Sequence, residues 1–161
     1  MPDSPSIPNA RFADTITPTP AGIDPRGPRF GAAVTSALLV ITLLLGTGPA
    51  ATTLLALVAL LFVLGVTRGV QGTLQGLAFR AWVRPRLAPP SELEDPRPPR
   101  FAQLVGLLVV AVGLFFTAAG VPAGIPVAAA VALVAAFLNA AFGLCLGCEL
   151  YLLLHRWTPQ H

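Results

Sequence analysis

The stretch FLNAAFGLCLGCELYLLLHRW, residues 137–157, sets two cysteines three positions apart, an acid beside the second and an asparagine into an otherwise apolar run. A C-x-x-C pair is the spacing of thiol–disulfide chemistry, and three readings of Cys145 and Cys148 compete. In the plainest, both are small buried hydrophobes and Glu149 snorkels to a membrane interface. In the second, the sulfurs cycle between dithiol and disulfide, or hold a sulfane sulfur, while Glu149 moves protons. In the third they bind a soft metal, but two thiolates and one carboxylate leave a tetrahedral site one ligand short unless His155 or a second subunit completes it. His155, near a helix end, reads first as a capping residue. No metal or other cofactor is assigned.

Which reading applies depends on the elements that carry these residues. The chain has 161 residues, of which 55% are hydrophobic and 11% charged, and its mean hydropathy is +0.76. That composition belongs in lipid. All ten basic residues are arginine and the net charge is only +3, too small an excess for a nucleic-acid binder. Two cysteines are too few for a disulfide scaffold. No phosphate-binding loop, hydrolase triad or nucleic-acid module is present. Residues 1–23 mix proline, serine and threonine with no basic region leading into an apolar one, as a disordered tail does and a signal peptide does not. Residues 158–161 form a short C-terminal tail.

The spacing of uncharged runs predicts an all-α polytopic membrane protein within residues 24–157. Four spanning helices are expected, over about 30–48, 49–68, 101–120 and 126–154, each near or beyond the roughly 20 residues that cross a bilayer. GTGP at 46–49 and VPAGIP at 121–126 supply the turns of two helical hairpins. Arg26 and Arg29 precede the first span, six arginines lie between the second and third, and Arg156 follows the fourth, whereas neither turn is charged. The positive-inside rule then places both termini and the segment 69–100 on the cytoplasmic side of the inner (plasma) membrane.

The two hairpins open on nearly the same words, DPRGPRF at 24–30 and DPRPPRF at 95–101. Repeats of this kind mark duplicated units, and two hairpins starting on one side are related by an axis along the membrane normal. The prolines are expected to keep the phrase extended, with its arginines at the anionic inner surface and its phenylalanine at the apolar edge. Within 69–84, Val70, Leu74, Leu77 and Ala81 recur at helical spacing beside Phe79 and Trp82, as in a short interfacial helix. Residues 85–100 are too rich in proline to be more than an exposed connector.

On a continuous helix from 126 to 154, Asn139 sits near the midplane, and Cys145, Cys148 and Glu149 share one sector of its cytoplasmic half. The opposite face carries Ala129, Ala132, Ala136, Ala140, Gly143 and Gly147, a small-residue seam for helix association or homo-oligomers. Setting Gly65 and Gly69 over Gly143 and Gly147 puts Thr67 opposite Cys145 and Gln71 opposite Glu149, as though a polar pocket formed where the second and fourth spans meet. In that frame burial, Glu149 and the negative helix end all oppose a thiolate, and an arginine such as Arg68 would offset them.

On DPRGPRF, VRPRLAPPSELEDPRPPRFAQ (83–103) and FLNAAFGLCLGCELYLLL (137–154), the chain resembles the bacterial integral-membrane family called domain of unknown function 4395, over about residues 24–157. The resemblance implies a multi-spanning protein whose CxGCE-type signature is matched by Cys145, Gly147, Cys148 and Glu149. It also implies a genetic neighbourhood of thioredoxin-like proteins or sulfurtransferases, and so a cytoplasmic partner of that kind alongside the membrane lipids. It brings no catalytic activity with it. Thiol redox or sulfur handling at Cys145, Cys148 and Glu149, supported by Thr67, Gln71 and Asn139, is therefore the leading expectation. A non-enzymatic membrane scaffold or small permease with structural cysteines is the alternative.

Overall fold

The computed structural model describes residues 22–157. The tail expected over 1–23 lies outside these residues except for Gly22 and Ile23, and the tail 158–161 lies outside them entirely. Four helices are long and apolar enough to cross a membrane: α1 (Arg26–Leu45), α2 (Pro49–Arg68), α4 (Arg97–Ala118) and α5 (Gly124–Phe142). Between them stands a short helix α3 (Leu74–Ala78), and α6 (Leu146–Trp157) follows α5. Among the described residues the only β-type pairing is an isolated bridge. The chain is an all-α polytopic membrane protein.

Helix ends follow from backbone chemistry. Gly46, at φ 74°, closes α1, and Pro49 opens α2 where its missing N–H is not needed. Gly120, at φ 85°, turns the second hairpin. The DPR-x-PRF phrases correct one expectation, because they are helical rather than extended. Pro25 and Pro96 already have helical φ and ψ, and the helices run from Arg26 and Arg97. Proline costs nothing in a first turn, whose N–H groups have no intrahelical acceptor. The aspartate completes the device: Asp24 Oδ1 accepts from the Arg26 N–H at 3.0 Å, and Asp95 Oδ1 from the Arg97 N–H at 2.8 Å. Each phrase is a capped helix start.

The repeat continues beyond the hairpins. α1 packs most extensively on α5, and α2 on α4, so the halves interlock rather than stand side by side. Leu39, Leu55, Val58, Val110, Ile125 and Ala129 fill the buried centre. Gly113 and Gly124 face each other too closely for a side chain on either, the usual means by which small residues bring membrane helices together. At one end of the bundle the Arg29 guanidinium donates to the Ala140 and Ala141 carbonyls at the end of α5, and Arg100 donates to the Val66 and Thr67 carbonyls at the end of α2. The second arginine of each phrase thus closes a helix of the other half.

Ile23 and Glu94, the residues just before the two aspartates, pair with each other by backbone bonds of 2.9 and 3.0 Å. Equivalent residues in mutual contact define a two-fold relation, here with both hairpins opening at one end of the bundle, as expected for a parallel repeat. Each unit also ends alike. Gly69 (φ 76°) stops α2 and Gly143 (φ 71°) stops α5, and a shorter helical segment follows each. Phe30 lies 5.8 Å from Phe79, and Phe101 lies 5.6 Å from Tyr151, centroid to centroid, so the phenylalanine of each phrase meets an aromatic of its own unit's closing segment.

The short helix expected within 69–84 is present as a broken series, with tight turns at Val70–Gly72 and Arg84–Arg86 and a wide turn at Phe79–Val83 flanking α3. Its protein-facing side is Val70, Thr73, Gly76 and Phe79. Leu74, Leu77 and Trp82 point outward and are exposed.

Candidate thiol site and cavity

The site is made by a stop. Gly143 adopts the left-handed backbone region, its N–H bonding to the Asn139 carbonyl at 3.0 Å, and the chain leaves α5 there. The continuous helix expected over 126–154 is therefore two helices, and the face expected to join Ala140, Gly143 and Gly147 in one seam does not exist as such. Gly147 instead sits against the Cα and Cβ of Ala102 in α4, with no space for a side chain. Cys145 immediately precedes α6, and its carbonyl accepts that helix's first bond, from the Glu149 N–H at 3.0 Å.

Cys145 and Cys148 are joined by a disulfide across this first turn, with Cα atoms 5.1 Å apart, within the range that disulfide geometry allows. The electrostatic setting is the reverse of the expected one. The sulfurs lie at the N-terminal, positive end of α6 and not at the negative end of a longer helix, so the helix favours anionic sulfur once the bond is reduced. The negative end of α5 lies close by, but Arg29 covers it and rests 3.7 Å from where a Gly143 Cβ would stand. Arg29, and not Arg68, is the cation at the joint.

The other unit shows what this turn replaces. Where α6 begins with Cys145 and Cys148, α3 begins with Thr73 and Gly76, and the Thr73 hydroxyl accepts from the Gly76 N–H at 3.0 Å. Leu77 N–H bonds to Thr73 carbonyl at 2.9 Å as Glu149 N–H does to Cys145 carbonyl. The disulfide thus occupies the position of a helix cap.

Cys145 opens onto a cavity of about 490 Å³ between α1, α4, α5 and α6, whose polar lining is Thr35, Gln103, Asn139 and Cys145. Asn139 lines this cavity too, but three residues from the end of α5 and not near the midplane expected for it. Glu149 is exposed on the first turn of α6 and does not line the cavity. Thr67 is also exposed, its hydroxyl donating to the Val63 carbonyl at 2.8 Å, and Gln71 lines a separate pocket of about 170 Å³ with Arg80 and Arg84. α6 packs on α4, so the polar pocket expected between the second and fourth spans is built elsewhere. Among the described residues no three His, Cys, Asp or Glu side chains cluster as metal ligands.

Sequence reasoning passed over Gln103. A lone amide inside an uncharged span was the available signal, the same one that marked Asn139. Gly65 lies against the Gln103 side chain, and any Cβ there would overlap it. No curated protein and no solved structure matches the chain. The family model described as Domain of unknown function (DUF4395) matches residues 23–156, nearly the whole of the domain that the capped helix starts and the C-x-x-C turn define, and the chain belongs to that family.

Proposed function

We propose that the protein is a membrane thiol–disulfide carrier whose working pair is Cys145 and Cys148. The observation that carries this reading is the place of the pair, across the first turn of an exposed helix at the arginine-bearing end of the bundle. A thiolate of a thioredoxin-like partner attacks one sulfur of the disulfide and forms a mixed disulfide, and the partner's second thiol then displaces it. The partner leaves oxidised, and Cys145 and Cys148 take up two electrons and two protons as a dithiol. In this reading exposed Glu149, one residue from Cys148, serves the proton exchange of the pair. The arginines at this end favour a cytoplasmic orientation in the plasma membrane, which is where such a partner is found.

The test traps the intermediate. With Cys148→Ser and Cys145→Ser chains presented to the oxidised, disulfide form of a thioredoxin-type protein, so that the remaining thiol runs the exchange in reverse, one single variant should accumulate the mixed disulfide, and the intact mass of the unaltered chain should rise by two hydrogens on reduction. If neither variant traps a partner and the thiol count is the same before and after reductant, the reading fails. A stable mass increase of one sulfur after incubation with a persulfide donor would instead mark a sulfur relay. If Cys145→Ser/Cys148→Ser leaves the cell's phenotype unchanged, a scaffold role with structural cysteines replaces both. For orientation, a cysteine placed at Ser91 should react with a membrane-impermeant maleimide in inverted vesicles and not in intact cells.

A further inference from the structure

A dithiol carrier must pass its electrons on, and the cavity beside Cys145 points to the acceptor. We infer that the cavity holds the ring of an isoprenoid quinone, which oxidises the Cys145–Cys148 dithiol; this rests on the thiol reading above. Cys145 lines the cavity and Cys148 does not, so the cavity reaches the pair from the Cys145 side. The opening is toward lipid: Val131 and Val134 of α5 and Leu146 and Leu150 of α6 line it while remaining 53%, 58%, 44% and 42% exposed. A ligand entering there dissolves in the bilayer.

The polar lining is of the right kind. Neither the Gln103 nor the Asn139 side-chain amide has a hydrogen-bond partner among the described residues, although both line the cavity of an apolar bundle. Both amides are half-buried, close to the ends of α4 and α5, and each carries N–H donors that suit a quinone carbonyl. About 490 Å³ falls within the roughly 300–1,000 Å³ of small-molecule sites. The step balances: the two thiols lose two electrons and two protons in forming their S–S bond, and the quinone takes up both to become the hydroquinone.

The full chain, reduced and freed of excess reductant under anaerobic conditions in detergent, is mixed with a decyl-substituted benzoquinone while quinone absorbance and thiols are followed. One quinone should be reduced per disulfide regained, with a rate that saturates. Gln103→Leu and Asn139→Leu should each raise the half-saturating quinone concentration about tenfold, the effect of one lost hydrogen bond, with exchange against a thioredoxin-type dithiol measured on the same samples to correct for folded chain. Ala135→Phe, which narrows the cavity without removing either amide, should act in the same direction. Dithiol exchange without quinone reduction overturns the quinone site and leaves the carrier reading standing, as does a non-saturating rate that none of these variants alters. Should the pair prove inert to dithiols, the carrier reading falls instead. Retention of the quinone by the Cys145→Ser/Cys148→Ser chain on gel filtration, abolished by Ala135→Phe, would then support the cavity site, and no retention would overturn it.

Discussion

Gly143 decides the chemistry of its neighbours. Its φ of 71° is expensive for any residue with a Cβ, so Gly143→Ala should lose roughly 1–2 kcal/mol, read by thermal unfolding in detergent. Gly46→Ala, at φ 74° in the first hairpin turn, should lose a similar amount. Only the first should alter the rate at which reductant opens the Cys145–Cys148 bond, because only Gly143 sets the start of α6. Gly76 explains why the other unit has no such pair: a Cβ there would run into the backbone of Val70 and Gln71. Gly76→Ala should therefore destabilise the protein by about 1–3 kcal/mol in the same unfolding assay. The cysteines, Glu149 and Asn139 could be picked out from residue type alone, since polar groups in apolar runs are conspicuous. What they touch could not, and Thr67 and Gln71 went astray because a one-register alignment assumed a continuous last helix.

At the scale of elements, hydropathy located every span but not every end. Glycine is common inside membrane helices, and nothing in AAFGLCLG distinguishes a glycine that continues a helix from one that reverses its backbone. The proline-rich starts were misplaced for the complementary reason, because a residue that breaks a helix interior is welcome in its first turn. The ends that matter most to packing are those closed by Arg29 and Arg100. Arg29→Gln and Arg100→Gln should each lower stability by about 0.5–1.5 kcal/mol, the exposed setting reducing what a charged donor contributes. Their effects should add in the double variant because they close different helices, which a two-by-two set of unfolding curves would check. Arg29→Gln should in addition slow reduction of the disulfide, since it removes the cation that covers the end of α5 beside the pair.

Across the whole molecule, the repeated phrase announced a duplication, yet the manner in which the copies join was not written in either one. Hydrophobic pattern predicts that helices pair and is silent on which helix each one chooses. Because α1 rests mainly on α5 and α2 on α4, a chain cut in the exposed segment at 87–90 should yield halves that are each degraded when expressed alone. Coexpressed, they should copurify as one complex, and failure to copurify would mean that the interlocked packing is not what holds the bundle together. The mutual bond of Ile23 and Glu94 carries a further consequence. A contact that a position makes with its own counterpart is geometrically available to two identical half-length chains, as are the exchanged arginines. Joining the halves in one chain lifts the demand that both be alike, so one turn can carry sulfur where its twin carries the hydroxyl of Thr73.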